Sequence, residues 1–248
     1  MSIGAARRGR PDVQREQGLG GSRARSAQRT RDTGHMPTPP KTPRPRVRRT
    51  PEERIAQIVE AATDLVSRHG FYGLSLQEVA DAVGLTQPGL LHYVRNKDGL
   101  LQLLVDQRFD RRFDPEDFIA TGDPAAVHPD GVSLPAYFRY LVHHNAQDPH
   151  LIRLHMVLSA ESTFPDHPAH EHYAARPSEV WSLYSGTRWR LPPQVGTFED
   201  VHDLVELALA AMDGMQIRMF RDPPLDLETQ WARAEKVLFP SPIWDGFR

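Results

Sequence analysis

Four helix-start signals stand within fifty residues of one another, and they constrain the fold more than any other feature of the chain. Thr50-Pro51-Glu52-Glu53 places a hydroxyl at an N-cap, Pro at N1 and Glu at N3, the pattern of a capping box. Ser75 and Glu78 repeat that spacing, Thr86 offers a third cap and Asn96 a fourth. Between them the apolar residues recur in steps of three and four. Ile55, Ile58, Val59, Ala62, Leu65 and Val66 predict one helix stopped at His69-Gly70, and Leu76, Val79, Ala80 and Val83 a short second one ended by Gly84. Leu90, Leu91 and Val94 belong to a third helix, and Leu100, Leu101, Leu104 and Val105 to a fourth.

The middle pair reads as a helix-turn-helix. Ala80 is small enough for two helices to approach, Gly84 supplies a positive φ in the turn, and Leu85 fills the space between them. Helices joined this way present the N-terminal half of the second one to a DNA major groove.

Charge divides the chain in the same place. Residues 1–50 carry 13 Lys+Arg and 3 Asp+Glu, a net of +10, and the remainder is net −12. The basic leader is rich in Arg, Gly, Pro and Ser without apolar periodicity, so it is expected to be disordered, and its part from Lys41 to Arg49 has five positive charges and no acid. Met36 offers an alternative start. Residues 51–100 are net −3, so the positive charge that DNA requires is expected from Arg46, Arg48 and Arg49. The absence of cysteine excludes disulfide scaffolds, thiolate metal sites and cysteine nucleophiles. No apolar run approaches the ~20 residues of a membrane span, and no apolar stretch follows the N-terminal arginines as in a secretory signal. A soluble protein of the cytoplasm with no membrane association is expected.

The run Ile55 to Val105, above all Leu74 to Leu100 (LSLQEVADAVGLTQPGLLHYVRNKDGL), resembles the DNA-binding domain of the TetR family of bacterial transcriptional regulators. The family's tyrosine in the middle of the third helix is here Leu91 and its following phenylalanine Val94, leaving Tyr93 as the aromatic there. The resemblance implies an all-α chain: a disordered basic tail (1–49), a three-helix helix-turn-helix DNA-binding domain (50–96, with the motif at about 74–93) and a helical ligand-binding and dimerisation domain (97–240). Its Tyr93 and Lys97 correspond to positions that clamp phosphate. From the residues themselves, Ser75 and Thr86 present hydroxyls and helix N-terminal amides to phosphate, while Gln87, Gly89 and His92 lie on the exposed side of the recognition helix, where Gln can read adenine. With Arg48 and Arg49 these form the expected double-stranded DNA contact.

Beyond a Pro/Gly/Asp-rich stretch at 113–132, read as a loop, helical patterns resume at Leu134–Gln147, Pro149–Ser162, His170–Thr187, Phe198–Phe220 and Leu225–Phe239. The helix from Val201 to Met219 is apolar almost all round, which implies a homodimer, two recognition helices and a palindromic operator. Tyr140, His143, His155, Met156, Trp181, Tyr184, Met212 and Gln216 are candidates to line a small-molecule cavity whose unidentified effector releases the repressor from DNA. Seven of the twelve histidines fall between His143 and His172. His167, His170 and His172 with Asp166 and Glu171 have the donor types of a metal site, so a metal-responsive regulator is the alternative, although a surface loop explains them as well. No cofactor or resident metal is expected. Gly-x-Ser-x-Gly, Gly-rich phosphate loops and His-Glu-x-x-His are all missing, so no enzyme is expected.

Overall fold

The computed structural model describes residues 49–108, 114–222 and 225–248. The helix starts lie where the caps predict. In α1 (Pro51–Gly73) the Thr50 hydroxyl accepts the Glu53 amide at 3.2 Å while the Glu53 carboxylate accepts the Thr50 amide at 3.0 Å. Gly70, at φ 74°, breaks the helical path, leaving the last turn as a separate kinked piece. α2 (Leu76–Ala82) opens on the same reciprocal pair from Ser75 and Glu78, and α3 (Gln87–Val94) on Thr86, whose hydroxyl accepts the Gly89 amide at 3.2 Å. α4 (Lys97–Arg108) starts where the Asn96 side chain accepts the Gly99 amide at 2.7 Å.

The stretch expected as a loop holds a short helix, α5 (Pro115–Ala120), capped by Asp114, whose carboxylate accepts the Glu116 amide at 2.8 Å. Its Pro and Asp content marks a helix start, and Phe118 anchors it in the body. α6 (Leu134–Gln147), α7 (Pro149–Glu161), α8 (His170–Ser185), α9 (His202–Arg221) and α10 (Leu227–Leu238) follow within a few residues of the expected bounds. Two-residue strands, β1 (Val132–Ser133) and β2 (Trp189–Arg190), pair in parallel, the strand pairing seen among the described residues of an otherwise all-α chain. Among those residues no helix is long and apolar enough to cross a membrane.

Two hydrophobic cores organise these helices. The first is aliphatic: Ile58, Val66, Val79, Leu90, Leu100 and Leu104 from α1–α4 meet Leu151, Leu154 and Leu158 from α7. The second is aromatic, with Tyr137 and Phe138 on α6 against Tyr184, Trp189, Trp231, Phe239 and Trp244. Its closing piece is the C-terminal segment, where Ser133 Oγ donates to the Phe247 carbonyl at 2.6 Å and Arg248 donates to the Phe239 carbonyl at 2.6 Å.

Candidate nucleic-acid interface and effector cavity

The turn between α2 and α3 has the predicted construction. Gly84 takes φ 67°, Ala80 is fully buried, and the Leu85 amide returns to the Ala80 carbonyl at 2.8 Å while its side chain packs at the edge of the first core. A contact with no local signal supports the turn: the Arg54 guanidinium on α1 donates to the Val83 carbonyl at 3.0 Å. Leu90 and Val94 hold α3 in the core, leaving Gln87, His92 and Tyr93 exposed, Gly89 and Leu91 half-buried.

The helix starts of this unit differ in what they leave open. At α2 both the Ser75 amide and its hydroxyl donate to the Glu78 carboxylate at 2.9 Å, so an internal anion already occupies the place in which Ser75 was expected to meet phosphate. These backbone and hydroxyl donors hold the Glu78 carboxyl below its ordinary range. At α3 the equivalent N3 position is Gly89, which has no side chain to reach back. Thr86 is exposed, and since Pro88 has no N–H and the Gly89 amide is held by Thr86, the Gln87 amide is the donor that this end offers an external anion. Lys97 is half-buried; its ammonium donates to the Tyr72 carbonyl at 3.1 Å and lies 4.8 Å from the Phe71 ring centre, joining the start of α4 to the end of α1. Two N–H donors remain on that ammonium for a phosphate. Arg49 is exposed at the N-terminal edge of the described chain, and Arg48 and the rest of the basic tail lie outside the described residues.

A cavity of about 400 Å³ opens among α7, α8 and α9. Of the eight residues expected at an effector site, His155 and Tyr184 line it. The others sit elsewhere: Tyr140 packs on Phe118 and His144, His143 pairs with Glu228 at 2.7 Å, and Trp181 stacks on Phe198 with ring centres 4.6 Å apart. Met212 accepts from the Asn145 side-chain amide at 3.4 Å, Gln216 is on the buried side of α9, and Met156 is half-buried outside the cavity lining. The polar lining comes instead from Ser159 on α7, Tyr173 and Arg176 on α8, and Glu206 and Asp213 on α9. The Tyr173 hydroxyl lies 3.3 Å from His155 Nδ1. Burial pulls the His155 pKa down to about 3, with the Arg176 charge adding to it, so the imidazole is neutral. Burial also pushes Asp213 up to about 6, against the pull of Arg176. The histidines do not converge. His167 is buried with Nδ1 accepting the Ala169 amide, His170 Nδ1 bonds the Ser162 carbonyl at 2.7 Å, and among the described residues no three His, Asp or Glu are grouped to hold a metal.

Residues 58–104 match the family model described as bacterial regulatory proteins, tetR family, the segment that carries α2 and the Thr86-capped α3. The chain carries a TetR-family DNA-binding domain. TetR-type proteins are regulators, not enzymes, and solved structures of the same fold extend the likeness beyond the matched segment. Fatty acid degradation regulator FadR from Bacillus halodurans shares 16% identity at TM-score 0.56, covering 79% of this chain and 98% of its own. FadR from Bacillus subtilis in complex with stearoyl-CoA shares 15% at TM-score 0.51, covering 74% and 96%. A protein whose structure gives the molecular basis for control of antibiotic production by bacterial hormones shares 19% at TM-score 0.52, covering 77% and 97%. At these identities the likeness establishes the fold. No curated sequence matches the chain.

Of the cavity residues that sequence reasoning missed, Tyr173, Arg176, Pro177 and Val180 share one stripe of α8 with the expected Tyr184, at helical spacing. That period was legible, but which partner it faced was not. A second missed feature joins the reader to the body. Glu161, the last residue of α7, accepts the Phe71 amide at 2.8 Å across 90 residues of chain. Its carboxylate occupies the space that a Cβ on Gly70 would enter, and His167 packs edge-on to Phe71 and Tyr72 at 5.2 and 5.3 Å.

Proposed function

We propose that the chain is a ligand-responsive, homodimeric transcriptional repressor that binds a palindromic operator and leaves it when a small molecule enters the cavity. The observation that carries this reading is the start of α3. Among the neighbouring helix starts it is the one without a carboxylate of its own, and it bears Gln87, His92 and Tyr93 outward. Arg48, Arg49, Thr86, Gly89 and Lys97 are proposed to position the backbone around it, while Ser75, engaged by Glu78, holds the start of α2 instead. Gln87 is the base reader of choice, since its amide matches the donor and acceptor pair on adenine.

We assign residues 50–96 to DNA reading and 97–240 to sensing and dimerisation, with the basic tail of 1–49 as an electrostatic supplement. The outer side of α9 and α10 supports the dimer: Leu207 is 59% and Val237 79% exposed, Ile217 is exposed, and Gly214 has open space above it. Such apolar side chains with a small residue among them suit a second copy of the same helices. A dimer places two recognition helices about one DNA turn apart, hence the palindrome. The stearoyl-CoA of the Bacillus subtilis regulator shows that this fold accommodates a ligand in that protein. Here the cavity among α7, α8 and α9 is the corresponding candidate.

The test is selection of genomic fragments by the purified full-length protein, then footprinting with wild type and Gln87→Ala. The reading expects a two-fold symmetric footprint that weakens at symmetric positions in the variant. Salt-sensitive binding with no preferred sequence would overturn it and assign DNA contact to the tail.

A further inference from the structure

The cavity among α7, α8 and α9 is chemically two-ended. Tyr173 and Arg176 on α8 meet Asp213 on α9 and His155 on α7: the Tyr173 hydroxyl is 3.3 Å from His155 Nδ1, and Arg176 acts on the charges of both His155 and Asp213. Seven residues further along the stripe from Tyr173, Val180 and then Tyr184 turn the same face apolar, opposite Leu209. At 1.5 Å rise per residue, Tyr173 and Tyr184 stand about 16 Å apart along the helix. Glu206, the remaining acid of the lining, faces His202 Nε2 at 3.6 Å.

A polar end of this kind discriminates by sign. A carboxylate head drawn to Arg176 meets the Asp213 carboxylate, and an ammonium drawn to Asp213 meets the Arg176 guanidinium. Either ion gains one contact and suffers one repulsion in a partly desolvated site. A neutral group that accepts from Arg176 and donates to Asp213 makes two charge-assisted hydrogen bonds without that penalty. His155 is uncharged and Tyr173 and Ser159 are neutral, so they leave the balance unchanged while adding polar contacts.

We propose that the effector is an uncharged amphiphile, its head group both accepting and donating hydrogen bonds between Arg176 and Asp213 and its apolar part lying along Val180, Tyr184 and Leu209. This rests on reading the cavity as the effector site. It also sets a pH dependence, since Asp213 is a carboxylate above about pH 6 and a neutral acid below it. Lowering pH removes the repulsion of a carboxylate head. Arg176 and Glu206 are the other charged groups facing the site, and His155, with its pKa near 3, stays neutral through this range.

Three eight-carbon probes test this against the full-length protein: octanamide, octanoate and octylammonium, measured by calorimetry near pH 8. Octanamide should bind at least about tenfold more tightly than either ion, the scale of one unmatched charged contact. Asp213→Asn should admit octanoate and Arg176→Gln should admit octylammonium, each reversing the wild-type order. Octanoate affinity should rise as pH falls from about 8 to 5.5 in wild type and stay flat in Asp213→Asn. An ion binding wild type as well as the amide, an order unmoved by both variants, or no probe binding at all overturns the proposal. Operator release by each probe is recorded in parallel. Binding in the expected order without release leaves the ligand class standing and removes the effector reading; release in the wrong order does the reverse.

Discussion

The two cores of the molecule are built from different materials, and the contrast explains how the chain divides its work. The first is mainly aliphatic and drawn mostly from four consecutive helices, each started by its own cap, with α7 supplying most of the rest. The second is aromatic and joins residues far apart in sequence, such as Phe138 stacked on Trp231 at 5.5 Å and Tyr137 edge-on to Tyr184 at 5.4 Å. A reader that must present one fixed helix to DNA is specified locally. A body that must hold a cavity is specified by rings meeting across the fold, beside a site whose charged groups are incompletely buried.

The contrast predicts graded effects. Removing a ring from the second core should do most: Trp231→Ala, at 1% exposure, is expected to cost about 3–5 kcal/mol in a denaturant melt and to disturb the body that carries α10. Leu90→Ala, fully buried on the core side of α3, should cost about 2–5 kcal/mol and abolish operator binding while the proposed dimer persists in sedimentation. If Leu90→Ala dissociates that dimer instead, the two cores do not act separately. Gly70→Ala is next, because φ 74° disfavours a side chain and the Glu161 carboxylate fills its space. About 1–3 kcal/mol is expected, along with faster hydrogen exchange at the Phe71 amide. Ser75→Ala removes a cap worth about 1 kcal/mol. Because the Glu78 pKa is depressed in the folded state, that capping box contributes above the ordinary Glu range and is lost as pH falls through the lowered value, so the Ser75→Ala difference should shrink in acid. The smallest effect on the folded protein belongs to deletion of residues 1–49, which should leave the melt unchanged and flatten the salt dependence of DNA binding. An unchanged slope would place the phosphate contacts in the helices alone.

The same contrast marks what was legible in the sequence. Thr50, Ser75, Thr86 and Asn96 fixed the helix starts because a cap and its amide are three residues apart, and Gly84 marked the turn for the same local reason. α5 was missed because its six residues are too few for an apolar period to stand out among Pro and Asp. Little of the cavity was legible: His155 and Tyr184 were named, but Arg176 and Asp213 acquire their meaning by facing one another across two helices. Glu161 had no local signal at all, its partner lying 90 residues away. The histidine-rich segment showed donor types without showing where they turn: neighbours in sequence such as His167 and His170 each take their own backbone partner.

The account stands on α3 as the element that reads sequence. Its most direct test is operator affinity of wild type and Gln87→Ala across single-base variants of the selected site. The expected result is a loss of about 1–3 kcal/mol that is confined to one base pair in each half-site and vanishes when that pair is already changed. A uniform loss at every variant, or none at any, would contradict it.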